Sequence, residues 1–329
     1  MDKVMPIRDV YARTVLDPRG DPAVETEVLA GESMIGRALI SAEKYKADAM
    51  ETARAGAEQI NGLAEMMIGR NVLDQEEVDH AIARVSGVCG ENEDKTGGCG
   101  MGLGLSLAAA RAAAGLLGLP LFRYLGGIQF NQVPHPLVTL ADSRREARDG
   151  LWLAMPAPEE SGKTKKHVRK QIRMCVKIYH ATGQMLAERG LESSVGDDGG
   201  WRTGNMDREK IPRLIEQAVE LAGYRPHRDV TIFETGAGNS LSGLPDTVLI
   251  DGTEATTLTE LMERIHKKRS EGYRIVAGKG GAVTDPFLAD VAAACQADLV
   301  WAGAPCRGEC VAVYNRMMYI EEQVGVSVI

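Results

Sequence analysis

The chain has 329 residues, more than one hydrophobic core usually spans, so either a large barrel or two packed domains is expected. Hydrophobic residues at 44% and charged residues at 26% exclude a disordered chain, and only 5% aromatics predicts an aliphatic, alanine-rich core. A net charge of −8 argues against a general nucleic-acid binder.

The opening residues MDKVMPIRD carry no apolar run, so no signal peptide is expected there. Residues 4–15 and 23–30 alternate apolar and polar side chains around Pro18-Arg19-Gly20-Asp21-Pro22, a turn between two strands. Helical spacing follows at 46–68, 74–86 and 103–117, the last so rich in alanine and leucine that burial on most sides is expected. The most apolar stretch, Leu103 to Phe122, is interrupted by Arg111 and Pro120, which argues against a membrane span. Residues 1–127 read as a small α+β domain.

After Gly126-Gly127 short apolar runs alternate with longer helical ones. Strands are expected at 136–140, 151–155, 193–196, 229–234, 247–251, 273–277 and 298–302. Helices are expected at 162–189, 207–222, 256–271, 285–296 and 307–324. Helices separating the later strands predict an α/β barrel or open parallel sheet over 128–329, with Gly236–Pro245 as its most linker-like stretch. Six scattered cysteines, Cys89, Cys99, Cys175, Cys295, Cys306 and Cys310, favour reduced thiols and a cytoplasmic location. Cys306 and Cys310 form a Cys-x3-Cys pair without a second pair at zinc spacing. Met66-Met67 reads as core filling.

Tyr11-Ala12-Arg13 followed by Leu16-Asp17-Pro18-Arg19-Gly20-Asp21-Pro22 resembles the N-terminal signature of enolases. Gly36-Arg37-Ala38, Asp94-Lys95 leading into LSLAAARAAA, and Leu119-Pro120-Leu121-Phe122-Arg123-Tyr124-Leu125-Gly126-Gly127 continue the likeness in order. Val195-Gly196-Asp197-Asp198-Gly199-Gly200 is similar to the family's G-D-E-G-G. Thr257-Leu258-Thr259-Glu260, Leu288-Ala289-Asp290 and Tyr314-Asn315 extend it towards the C-terminus. The resemblance implies an N-terminal α+β domain that caps and oligomerises, and a C-terminal α/β barrel. Between Gly243 and Leu244 about two strand-helix units of that barrel are lacking, so it is expected to be incomplete or resealed.

Enolases dehydrate 2-phosphoglycerate with a lysine base and Mg2+ held by acidic residues, because a proton beside a carboxylate is too weakly acidic without nearby cations. By resemblance, Thr235 falls at the first metal-ligand position with Glu234 beside it, and the other two ligands are lost with their strands. The base is replaced by Asp251, and a second lysine of the family falls on Trp301. The glutamate of G-D-E-G-G becomes Asp198, the catalytic candidate. Ser41 is kept where a loop serine helps bind the second magnesium, whereas the other mobile loop, between Pro136 and Leu151, lacks the family's histidine and has Gly150-Leu151 in place of a Gln-Glu pair. The phosphate-gripping arginine and serine become Lys279 and Gly280.

Three expectations follow. Ser41, Lys279, Gly280 and Arg307 are candidates for holding a small anion, Lys279 and Gly280 because a glycine-rich loop between strand and helix can cradle phosphate. Asp198, Glu234 and Asp251, placed at strand ends, are candidates for a rebuilt Mg2+ site. Lys163, Lys166, Lys170, Arg173 and Lys177 share one helix face, which reads first as a solvated surface and second as a site for RNA or another polyanion. The functional expectation is an enolase-like homo-oligomer that has lost 2-phosphoglycerate dehydration and binds, or acts on, another small phosphorylated or carboxylated molecule. The alternatives are a working phosphopyruvate hydratase, a carbon-oxygen lyase, and a partner-binding module using the basic helix.

Overall fold

The computed structural model describes residues 4–42, 49–86, 101–127, 133–143, 150–157, 168–191, 194–236, 241, 243–278 and 283–326. They form two compact units, one of Met1–Phe130, Asp251–Lys267 and Lys279–Cys295, the other of Asn131–Ile250, Lys268–Gly278 and Gln296–Ile329.

The first unit is built on an antiparallel sheet of β1 (Ile7–Leu16), β2 (Pro22–Ala30) and β3 (Met34–Ser41), in that order. The expected hairpin is present, and Asp17 closes its turn by accepting hydrogen bonds from the backbone N–H of Arg19 and Asp21, both at 2.9 Å. Val10, Ala12, Val24, Val28, Ala38 and Ile40 are buried, and helices α1 (Ala49–Met67) and α3 (Met101–Leu116) pack on the sheet. Ser41, expected in a mobile loop, instead ends the third strand together with the residues from Gly36 that lead to it. Gly36, Ala38 and Ile40 form its buried alternate set, with the period of a strand. Only glycine fits at 36, because a Cβ there would lie 1.9 Å from the Ala108 carbonyl oxygen of α3. The short helix α4 (Leu121–Gly126) was not anticipated. No described helix is long and apolar enough to cross a membrane.

Helix α2 (Gln75–Ser86) and the start of α7 (Leu258–Ser270) meet through a buried polar network. Asp79 accepts from Gln75 Nε2 at 2.9 Å, Thr259 N at 2.9 Å and Thr259 Oγ1 at 2.7 Å, while Ser106 Oγ of α3 accepts from Leu258 N at 2.9 Å. Free N–H groups at the start of α7 are thereby satisfied by side chains from α2 and α3. Burial still holds the Asp79 carboxyl above its ordinary range. The folded state therefore binds this proton more tightly than the unfolded chain, so its contribution is full below the unfolded pKa and is lost as pH rises through the folded one. The stability advantage of the wild type over Asp79→Asn, read from urea midpoints, should accordingly be wider at pH 4 than at pH 8. An advantage that widens with pH would contradict this assignment.

The second unit is built on one sheet in the order β7-β5-β4-β10-β9-β8, with a short β6 (Trp201–Arg202) beside β4. Strand β4 (His135–Asp142) is antiparallel to β5 (Leu151–Pro156), and β5 to β7 (Val230–Glu234). Strand β10 (Leu299–Gly303) is parallel to both β4 and β9 (Arg274–Gly278). Among the described residues the order does not close, and its ends are β7 and β8 (Thr247–Asp251). These are the two strands that flank the shortened stretch at Gly243-Leu244. Helices α5 (Val168–Glu188) and α9 (Gly308–Val326) pack on β4 and β10, and α6 (Ile211–Leu221) packs on α5. Of the expected strand at 193–196, the described residues 194–196 form a single bridge, between Val195 and Trp201. Helix α8 (Phe287–Ala294) belongs to the first unit.

The core of the second unit gathers Leu137, Leu151, Leu153, Phe233, Val276, Leu299 and Trp301 from β4, β5, β7, β9 and β10, together with Leu241 and Leu244. The last two come from the short connection between β7 and β8. They add apolar surface to this core, and burial of such side chains contributes roughly 1.5–3 kcal/mol each.

Candidate functional site

Asp198 lies in a turn, beyond the bridge at Val195, and not at the end of a strand as expected. The turn is closed by Gly196 N donating to Gly200 O at 2.8 Å and Gly199 N to Gly196 O at 3.0 Å. It is tied to the residues after β10, since Ala304 N donates to Asp198 O at 2.7 Å and Arg307 Nη2 to Gly196 O at 3.0 Å. Two of the predicted residues, Asp198 and Arg307, are thus brought onto adjoining loops. Arg307 adopts a left-handed backbone, φ 64°, which is uncommon for a residue with a Cβ and aims its side chain back at this turn.

Tyr179 of α5 completes the arrangement, its hydroxyl donating to Gly199 O at 2.8 Å and lying 3.1 Å from Cys306 Sγ. Burial raises the Cys306 thiol above its usual pKa, against the hydrogen bond from Tyr179 and the charge of Arg307, and pushes Cys310 up to about 12. Both sulfurs are therefore held as thiols at neutral pH and are poor nucleophiles. Glu309, not singled out by sequence, is only 6% exposed, and its buried Oε1 has no hydrogen-bond partner among the described residues. Nothing in its local sequence distinguishes it from the usual acidic residue of a helix's first turn.

Glu234 ends β7 but turns its carboxylate to protein partners. Arg208 donates to Oε2 from Nε at 3.0 Å and from Nη2 at 2.6 Å, and Ser143 Oγ lies 3.4 Å from Oε1. Thr235, at the aligned ligand position, is absorbed into the sheet: its N donates to Leu151 O at 2.8 Å and its Oγ1 accepts from Leu151 N at 2.9 Å. Gly150 explains why the Gln-Glu pair has no place here, since a Cβ on it would lie 2.1 Å from Thr235 O. Trp301, where a lysine would stand, is fully buried and donates from Nε1 to Thr139 Oγ1 at 2.9 Å.

In the first unit, Asp251 Oδ1 accepts from Thr253 N at 2.8 Å and Thr253 Oγ1 at 2.7 Å, the local turn expected of an acid before a helix. Ser41 ends β3 and is buried, paired in register with Ala23. Lys279 and Gly280 lie outside the described residues. Among the described residues no three His, Cys, Asp or Glu side chains come together as a cage for a metal ion. The donor set suits Mg2+ poorly, because Glu234 already faces a guanidinium and the Asp251 oxygen is engaged by its own turn.

Two family models match the chain. The enolase N-terminal domain matches residues 7–125, and the enolase C-terminal TIM barrel domain matches residues 234–329.

Proposed function

The chain belongs to the enolase family, and we propose that it is a member without 2-phosphoglycerate dehydration, serving as a binding or scaffold protein for a small phosphorylated or carboxylated molecule. The observation that carries this reading is Trp301, a packed indole in the position of a family lysine, surrounded by Leu137, Leu151, Leu153 and Leu299. A base or an electrophilic cation cannot act from a place filled by apolar carbon. The pairing of Glu234 with Arg208 supports it, since a carboxylate neutralised by a guanidinium has little left to offer a divalent ion. Arg307 and Asp198, on adjoining loops, are the polar groups we assign to the ligand, with Ser41, Lys279 and Gly280 as further candidates. Enolases are generally soluble and oligomeric, and the reading extends to self-association through residues 1–127 and to a cytoplasmic location.

The test is a coupled assay for phosphoenolpyruvate formed from 2-phosphoglycerate with Mg2+ in excess. No turnover above a no-protein control is expected. Saturable, Mg2+-dependent turnover abolished by Asp198→Ala would replace this reading with that of a working phosphopyruvate hydratase. Ligands are then sought by thermal shift with small phosphorylated and carboxylated compounds, where binding raises the midpoint.

A further inference from the structure

Helix α5 carries a charge pattern that the proposed ligand site does not use. Between Lys163 and Lys177 the sequence has seven lysines and arginines, and no acid intervenes between Glu160 and Glu188, in a chain whose net charge is −8. Within the described part of the helix, Lys170, Arg173 and Lys177 are exposed, at spacings of three and four that set them in one row about 10 Å long. The opposite face is fixed in the core through Val168, Ile172, Cys175 and Ile178, so the row cannot turn inward.

Several of the protein's other exposed cations are matched locally, although Arg84 of α2 and Arg213 of α6 are exposed as well. Arg54 pairs with Glu51 and Glu58, Lys210 with Asp207, Arg225 with Asp229, Arg264 with Glu260 and Lys268 with Glu271. Even Arg169, next to the row, pairs with Glu322 of α9. Among the described residues Lys170, Arg173 and Lys177 face no carboxylate; Lys177 lies 5.8 Å from the ring of Tyr224, which does not neutralise it. In a chain whose net charge is −8, no described carboxylate offsets this row of three.

We propose that this face of α5 binds the phosphate backbone of a nucleic-acid strand. The row offers only donors and positive charge, so its partner must be a chain of anionic acceptors. The exposed positions that continue it, His180 and Gln184, are polar. A folded protein partner would need an apolar centre to its interface, and a membrane would take up apolar side chains; this face supplies neither. Backbone phosphates need only charge and hydrogen bonds, and binding of that kind is independent of base sequence.

The experiment is fluorescence anisotropy of the full chain with a labelled 20-nucleotide oligouridylate, between 50 and 200 mM salt. Three phosphate contacts on a single strand give a slope of log affinity against log salt of about −2, and further contacts make it steeper. Lys170→Gln, Arg173→Gln and Lys177→Gln combined should weaken binding at least tenfold at 50 mM salt and flatten the slope, with the thermal midpoint unchanged. Arg173→Gln alone should give a smaller loss, which keeps the test open should the triple variant fold poorly. Absence of binding at 50 mM salt, or binding that these variants leave intact, would overturn the proposal. Capture by phosphatidylserine vesicles or polyglutamate but not by the oligonucleotide would overturn it equally.

Discussion

Trp301→Lys is expected to destabilise the protein by at least about 4 kcal/mol and to produce no phosphoenolpyruvate. Trp301 is fully buried, and its neighbours in the cluster are Leu137, Leu151, Leu153, Phe233, Val276 and Leu299. Deleting such an indole costs about 3–5 kcal/mol in packing alone. The lysine stem would refill part of that space, but its ammonium would lie among the leucines of the cluster, and Thr139 Oγ1 would lose the N–H that it accepts. Burial among leucines depresses a lysine pKa, so the variant's deficit should shrink as pH rises towards 10 and the amine is neutralised. Trp301→Phe is the control, keeping most of the apolar volume and losing the hydrogen bond, for about 1–2 kcal/mol. Urea denaturation at pH 7 and pH 10 reads the first effect and the coupled assay the second. A lysine variant as stable as the wild type and active with Mg2+ would show that the site is only masked.

The burial of Trp301 was legible, because Leu299-Val300-Trp301-Ala302-Gly303 is a short apolar run of the kind that forms an enclosed strand. The hairpin was legible too, since Pro18, Gly20 and Pro22 mark its turn and alternation runs on both sides. The third strand was missed because Gly36 and Ala38 carry almost no hydrophobic signal of their own; their smallness reflects the approach of α3, a contact made across 72 residues. The segment at Val195 was overread, since a strand requires a partner and Gly196 turns the chain after one bridge. The fate of Glu234 could not be read at all. Its partner Arg208 is 26 residues distant and precedes a helix whose direction depends on the whole sheet. Local chemistry proposed a metal ligand, and tertiary contact made an ion pair.

Arg111 was visible as a charge inside the most apolar helix, and Asp285 is what it is there to meet. Arg111→Ala is expected to cost about 3–5 kcal/mol, because it leaves Asp285 buried and without its countercharge. The guanidinium donates from Nη1 to Asp285 Oδ2 at 2.6 Å and from Nη2 to Oδ1 at 2.5 Å, and Nη1 also reaches Arg37 O at 2.6 Å. The Asp285 side chain is 5% exposed and that of Arg111 22%, so solvent screens the pair little. Asp285 has two further duties, accepting Leu39 N at 3.0 Å from β3 and Phe287 N at 3.0 Å at the start of α8. Replacing both partners by apolar residues, as in Arg111→Met with Asp285→Leu, often restores stability at a buried pair. Here the recovery should be incomplete, since two backbone N–H groups lose their acceptor at about 1–3 kcal/mol each. Arg111→Lys should recover less than half of the loss, because one ammonium cannot meet both carboxylate oxygens and the Arg37 carbonyl in a fixed fork. A double-mutant cycle by urea denaturation measures the coupling, and a coupling near zero would show the pair to be incidental.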